Sequence, residues 1–285
     1  MRPFFTVIVP VYRQWDFVPR LLASLESQAW PAADVEILLV NNGPEDETPP
    51  LVLPPNARLL TCLEPGSYAA RNAGSAAARG KWLVFTDADC RPHPGWLAAF
   101  ARVAAETSDL LAGPIVAVCE ASAPNPYQIY DRLRGIPQAR YVRNGYAATA
   151  NLAVARPVFE AAGGFDPARF SGGDAALCRE AGRKGYRIRL VEAAVVDHPC
   201  RSTWQDLATK ARRVKGGQIR SGPFGLRLQW FLRTLTPPLR ATVRFLKAEA
   251  PFAQRRMAIG VLFRLWLVEI DETLRLLLGR RPERR

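Results

Sequence analysis

The sequence predicts an α/β fold: a mostly parallel sheet flanked by helices, followed by a basic, helical C-terminal region. Three observations predict it. Over the first 200 residues, short apolar runs alternate with amphipathic stretches, the pattern of strands joined by crossover helices. Motifs rich in Asp, Asn and Gly follow directly on several of those runs, and ligands of open α/β sheets bind at that carboxyl edge. The charge is partitioned as well. Residues 1–200 carry 20 Lys and Arg against 20 Asp and Glu, whereas residues 201–285 carry 19 against six, the whole of the net charge of +13. The chain therefore divides into a neutral, catalytic-looking domain at 1–200 and a basic appendage at 201–285.

The elements follow in order. Residues 4–9 are a β-branched and aromatic run closed by Pro10. This start has a superficial likeness to a secretory leader, but it lacks a small-residue cleavage site and continues into Val11-Tyr12-Arg13, so a strand is expected. Residues 15–28 place Phe17, Leu21, Leu22 and Leu25 at helical spacing. Residues 35–40 form a continuous apolar strand, and a Pro-rich loop over 49–55 leads to a third strand at 58–62. An Ala-rich helix over 66–79 is stopped by Gly80, and 81–86 is the fourth strand. A helix over 94–106 and a strand over 110–118, interrupted by Gly113-Pro114, come next. Residues 122–148 read as a long irregular loop rich in Pro, Tyr and Arg. A helix over 174–184 and a strand over 187–196 complete the body. Beyond residue 202 the pattern is helical, over 204–219, 224–235 and 240–247, with a last long helix carrying the stripe Ile259, Leu262, Phe263, Trp266, Ile270, Leu274 and Leu277. No stretch has the roughly 18 apolar residues of a membrane span. The five cysteines are odd in number and share no metal-type spacing, which reads as free thiols in a reducing, cytoplasmic setting.

Asp87-Ala88-Asp89 ends the fourth strand. Two carboxylates one residue apart are poor core material and good material for a divalent cation, since Mg²⁺ is held by one or two carboxylates plus substrate phosphates. Each candidate also has an ordinary structural reading. Asp87 and Asp89 can be a solvated turn, and Asp174 after two glycines a helix N-cap. Asn41-Asn42-Gly43 can be a plain turn. Tyr12 can be core, Arg71 a helix-surface charge, and His198 and His93 loop residues. Arg212, Arg213 and Lys215 are either a solvated helix face or a contact for a diphosphate or acceptor.

Taken in order, Pro10-Val11-Tyr12, Asn41-Asn42-Gly43, Ala70-Arg71-Asn72-Ala73-Gly74, Asp87-Ala88-Asp89, Gly163-Gly164-Phe165-Asp166 and Gly173-Asp174 resemble the family 2 glycosyltransferases with a GT-A fold. The run Thr149-Ala150-Asn151-Leu152-Ala153-Val154 shares the likeness, which covers residues 4–200. The resemblance implies an inverting, metal-dependent enzyme that moves a sugar from a nucleotide diphosphate sugar, foremost a UDP-sugar, to a hydroxyl of a glycan or lipid-linked acceptor. It implies that Pro10, Tyr12, Asn41 and Asn42 hold the nucleoside and that Arg71 lies near the base or diphosphate. Asp87 would contact the ribose or metal, and Ala88 belongs to the same donor-binding turn. Asp89 and His198 would bind Mg²⁺ or Mn²⁺, and Asp174 would be the general base. Polysaccharide synthases of this superfamily usually carry Gln-x-x-Arg-Trp after the base; none is present, so a non-processive enzyme is implied.

Two positions depart from the family. Members commonly have Asp where Asn41 stands, and Glu before the base where this chain has Gly173. These departures motivate a competing reading, a noncatalytic nucleotide-sugar-binding or scaffold protein. A nucleotidyltransferase would need a Gly-rich phosphate loop after the first strand, and Pro10-Val11-Tyr12-Arg13-Gln14 is not one. The basic tail has three readings: an anionic membrane surface at the inner face of the cell membrane, nucleic acid, or a docking or dimer surface. The first, through amphipathic helices rich in arginine, is preferred, because the resemblance implies acceptors that are often lipid-linked and bulky, and the tail lacks the interleaved aromatics of a nucleic-acid platform.

Overall fold

The computed structural model describes residues 2–44, 47–107, 109–169, 171–221 and 223–283. The chain forms two compact units. One comprises Met1–Val116, Ile136–Pro167 and Gly173–His198; the other comprises Ala117–Gly135, Ala168–Gly172 and Pro199–Arg285. The second unit thus takes two segments from before residue 200.

In the first unit, strands β1 (Phe5–Val11), β2 (Val35–Asn41), β3 (Ala57–Thr61), β4 (Trp82–Phe85), β6 (Leu110–Ala112), β8 (Leu152–Ala155) and β9 (Ile188–Leu190) build a seven-stranded sheet in the order β3-β2-β1-β4-β8-β6-β9. Pairs β1–β2, β1–β4, β2–β3 and β6–β9 are parallel, while β8 runs antiparallel to both β4 and β6. β2 is buried along its whole length and β1 at every position but Pro10, which is why both read as unbroken apolar runs. Helices α1 (Val18–Glu26), α2 (Ser67–Ala77), α3 (Trp96–Ala104), α5 (Gln138–Arg143), α6 (Arg156–Ala161) and α7 (Gly173–Arg183) accompany the sheet. Leu21, Leu22 and Leu25 of α1 are core, but Phe17 falls in a 3₁₀ turn before the helix and is exposed.

Several expected boundaries shift for physical reasons. β1 runs through Pro10 to Val11. Its pairing with β4 stops at Ile8, so the N–H that Pro10 lacks has no ladder bond to make. α2 ends at Ala77, before Gly80. The expected strand 110–118 is two strands in two sheets. At Gly113 a Cβ would stand 1.9 Å from the Ala194 carbonyl oxygen, so only glycine lets the chain pass, and β7 (Ile115–Val118) joins β5 (Arg91–Pro92) and β10 (Val196–Pro199) in the order β5-β10-β7. Residues 187–196 likewise divide between β9 and the start of β10. The expected irregular loop at 122–148 is wrong. It holds α4 (Pro126–Arg134) and α5, and α4 opens on a capping box: the Asn125 side chain accepts from the Tyr127 and Gln128 amides, the Gln128 side chain accepts from the Asn125 amide, and Pro126 takes the first helical turn.

The second unit contains α4, α8 (Trp204–Arg220), α9 (Phe224–Leu235), α10 (Leu239–Leu246) and α11 (Phe252–Leu277). Ile129, Tyr130, Leu207, Phe245, Ala258, Val261 and Leu265 form its core. Lys215 is not on a solvated face. It is buried, donating to Thr234 Oγ1 at 2.9 Å and paired with Glu269 at 3.0 Å, so it serves the unit's own packing and is not available to a diphosphate. Among the described residues no helix is long and apolar enough to cross a membrane, and the five cysteines are free thiols.

Glu36 ties the first strands together. Its carboxylate, 1% exposed, accepts from the Thr6 hydroxyl, the Arg79 amide and the guanidinium groups of Arg58 and Arg79, all within 2.8 Å. Burial pushes its pKa up, but these donors outweigh burial and hold it below 4.5. A depressed folded-state pKa contributes stability that is present above the unfolded value and lost as pH falls through the folded one. Urea unfolding of the wild type should therefore lose stability on acidification, and Glu36→Ala, already destabilised at neutral pH, should show a shallower acid loss. Parallel pH profiles would contradict this.

Candidate active site

Four loops of the first unit leave the carboxyl ends of parallel strands at one edge of the sheet. After β1 come Tyr12 and Arg13; Arg13 adopts a left-handed φ of 57° and clasps Glu47 through two contacts of 2.7 Å. Asn41 ends β2 and Asn42 follows it, both buried. Their amides hold the framework. Asn41 donates to Thr48 Oγ1 and accepts from the Gly43 amide, while Asn42 donates to the Cys62 and Glu64 carbonyls and accepts from the Gly66 amide, joining the exit of β3 to the start of α2. What these residues present at the edge is a fixed main chain, with the Tyr12 ring beside Gly43. Pro10 is half-buried at the end of β1.

After β4 comes the acidic turn, closed by the Cys90 amide bonding to the Asp87 carbonyl at 3.1 Å. Asp87 accepts from Arg71 Nη2 at 2.5 Å. Ala88 points into the core, so it has only main chain to offer a ligand. Asp89 lies 3.8 Å from Nε2 of His198, which β10 brings back from the far end of the unit. Donor atoms of Asp87, Asp89, Cys90 and His198 all lie within 4.8 Å of one another. His93, by contrast, pairs with Asp197 at 2.9 Å and is not among these donors.

Arg71 is not a helix-surface charge. It is 4% exposed on α2, over the Tyr68 ring and against Asp87, and its Nε has no hydrogen-bond partner. Tyr68 leads to Asp174. Its hydroxyl accepts from the Gly173 amide at 2.9 Å, and its ring stacks on Phe165 at 5.5 Å. Asp174 lies inside the first turn of α7, and its Oδ1 accepts from the Ala175 amide at 2.9 Å, so it does part of a cap's work without being the cap. Burial pushes its pKa above the usual 3.8; the Ala175 amide and Arg71 act in the opposite direction, and Asp87 adds to the rise. Asp174 therefore sits within electrostatic reach of Arg71 and Asp87, although it is about ninety residues away in the chain.

Sequence reasoning missed Tyr68 and Cys90. Cys90 is buried beside the acidic turn and its thiol is pushed well up by burial and by Asp89 and Asp87. Spacing rules search for repeated Cys and His, and a donor completed by a distant strand escapes them. Tyr68 also explains Gly173. A Cβ there would stand 2.7 Å from the Tyr68 ring, so the ring fills the space a longer side chain would need.

A family model described as Glycosyl transferase family 2 matches residues 6–161. The chain belongs to this family. Among its relatives, the glycosyltransferase AglE of Haloferax volcanii is 31% identical over 224 residues, covering 76% of this chain and 73% of AglE. A pre-mycofactocin glycosyltransferase of Mycobacterium tuberculosis is 31% identical over 156 residues, covering 51% of this chain and 33% of that protein. Among solved structures, the mannosyltransferase PcManGT of Pyrobaculum calidifontis, in complex with GDP-Man and Mn²⁺, superposes with a TM-score of 0.60 at 20% identity, over 99% of this chain and 89% of its own. TarS residues 1–349 of S. aureus in complex with UDP gives 0.54 at 18% identity, over 97% and 92%. These neighbours share the GT-A fold. This family 2 member is thus a glycosyltransferase that draws its sugar from a nucleotide sugar, and the noncatalytic scaffold reading is set aside.

In this family 2 member, the contact between residues 68 and 173 is open to a mutant cycle. Gly173→Glu alone should cost about 1–3 kcal/mol in urea unfolding, because overpacking displaces the ring. Combined with Tyr68→Ala it should cost less than the sum by at least ~0.5 kcal/mol. Strict additivity would show that the two residues do not compete for the space.

Proposed function

We propose that the chain is an inverting, divalent-metal-dependent, non-processive glycosyltransferase, acting from a nucleotide diphosphate sugar on a hydroxyl of a glycan or lipid-linked acceptor. One observation carries the reading. Carboxylates from the turn after β4 and from α7, a guanidinium from α2 and an imidazole from β10 gather at the edge where a parallel sheet binds ligands.

The donor set fits a cation of the Mg²⁺ or Mn²⁺ kind. Asp89 would supply carboxylate oxygen, the donor that Mg²⁺ and Mn²⁺ favour, and His198 an imidazole nitrogen, and Asp87 stands beside them with one oxygen held by Arg71. The chemistry such an ion supplies when bound is neutralisation of charge on the departing diphosphate. Arg71 adds a fixed positive charge at the same place and pre-orients Asp87. Asp174 takes the proton of the attacking hydroxyl. Burial raises its pKa above the ordinary aspartate value, towards the range of a general base, and Tyr68 holds the start of its helix. Attack opposite the leaving diphosphate in a single displacement inverts the anomeric centre. Pro10, Tyr12, Asn41, Asn42 and the main chain at Ala88 shape the nucleoside side of the site.

Solved neighbours of this fold hold UDP, UDP-GlcNAc, or GDP-Man with Mn²⁺, which makes uridine and guanosine diphosphate sugars the donors to test first. Free thiols suit a cytoplasmic location.

Asp174→Asn should lower transfer to a matched acceptor by about 10²–10⁴-fold. Activity within a few fold of wild type would remove Asp174 as base. In the wild type, kcat/KM should fall on the acid side as Asp174 becomes protonated, at a pH above the ordinary aspartate value. The asparagine variant should lack that limb. Independently of turnover, Mn²⁺ titration followed by electron paramagnetic resonance should show weaker binding in both Asp89→Asn and His198→Ala. Undiminished binding in either variant would take that residue out of the metal site.

A further inference from the structure

We propose that α9 and α10 form a face that seats on the surface of an anionic lipid bilayer. The helices carry none of the site residues, so this stands apart from the transfer chemistry.

Among the described residues, most of the large apolar side chains left exposed lie between 224 and 278. On α9 and α10 they are ordered. Phe224, Leu228 and Leu232 recur every fourth residue on α9, at 75%, 43% and 54% exposure. Leu239, Val243 and Leu246 recur at spacings of four and three on α10, at 63%, 49% and 45%. Only Thr236-Pro237-Pro238 separates the two helices. These rows are not core turned outward by mistake. Each helix already has an inner side: Thr234 of α9 is buried against Lys215, and Phe245 of α10 is 1% exposed in the core of the second unit. Single exposed leucines are ordinary on a protein surface; continuous rows mark a place where something binds.

The charge says what binds. From residue 207 to residue 248 the chain has ten Lys and Arg and no Asp or Glu. Arg233, Arg240, Arg244 and Lys247 are exposed on or beside the apolar rows. A second copy of this face would bring cations against cations with no acidic partner, which opposes self-association. Nucleic acid would meet the arginines but has nothing for two rows of leucine and valine, since its binding platforms rely on base stacking. A bilayer carrying anionic headgroups matches both: helices lying in the interface bury an apolar side among the acyl boundary while basic residues meet the headgroups. Neither helix is long enough to cross, so the contact is in the plane of the surface.

The test uses the full chain. It is pelleted with vesicles of phosphatidylcholine alone or of phosphatidylcholine mixed with phosphatidylglycerol, at low and at raised salt. Binding is expected to the mixed vesicles, weakening with salt. Two triple variants, Phe224→Ser/Leu228→Ser/Leu232→Ser and Arg233→Gln/Arg240→Gln/Arg244→Gln, should each lose about tenfold or more in partition. Both should keep wild-type donor turnover, which shows that they are folded. If a triple variant fails to fold, Phe224→Trp decides: its added emission should be quenched by brominated lipid in mixed vesicles and not in pure phosphatidylcholine. Four results would overturn the proposal: no pelleting, equal pelleting on both vesicle types, folded variants that bind like wild type, or an added tryptophan that brominated lipid never quenches. A dimer that the apolar variant converts to monomer, or retention by RNA with none by vesicles, would likewise overturn it.

Discussion

A buried guanidinium makes the acidic site possible. Asp87, Asp89 and Asp174 come from the turn after β4 and from α7 to one edge of the sheet, and carboxylates brought together repel one another. Without a counterion that repulsion would stand unopposed. Arg71, held on α2 against Tyr68 and Asp87, supplies the positive charge. Its own burial is tolerable for the same reason, since an arginine at 4% exposure needs an anion beside it. Helix α2 and the turn after β4 therefore depend on each other electrostatically.

Around this pair the site is assembled from parts that have already met their own hydrogen-bonding needs. Asn41 and Asn42 bond inward and fix the loops, so the main chain at this edge is already held in place. Tyr68 links the same helix to the start of α7: its hydroxyl holds the Gly173 amide, and its ring occupies the room that residue 173 leaves. The glycine at 173 is therefore a packing consequence of the tyrosine on α2, and a longer side chain there has to displace that ring.

The second unit explains the charge partition differently from the first. Part of its basic content is structural. Lys215 is sealed against Glu269 and Thr234, and Arg201 holds Asp131. The remainder, on α9 and α10, is exposed and accompanied by apolar rows that the unit's own core does not use. A single number for net charge hides this division; only burial, residue by residue, separates a cation that packs from one that faces outward.

Much of this was legible in the chain. Apolar runs with period and punctuation placed β1, β2, β3, β4, α2 and α7 to within a few residues, because a doubly covered parallel strand has no polar face and a helix keeps its spacing. The order of short motifs identified the family. The Asn125 capping box was also present in the sequence, and composition over 122–148 masked it. What local pattern does not contain is distance across the fold. That Cys90 and His198 share a cluster with Asp89, that Arg71 faces inward, and that Tyr68 excludes a side chain at 173 all depend on which strands become neighbours. The sequence by itself determined the strands, the helices and the acidic turn, because those follow from interactions along the chain. Which groups meet, which charges are buried and which apolar rows stay exposed were decided by the tertiary structure alone, because Coulomb forces and packing act through space and take no account of separation along the backbone.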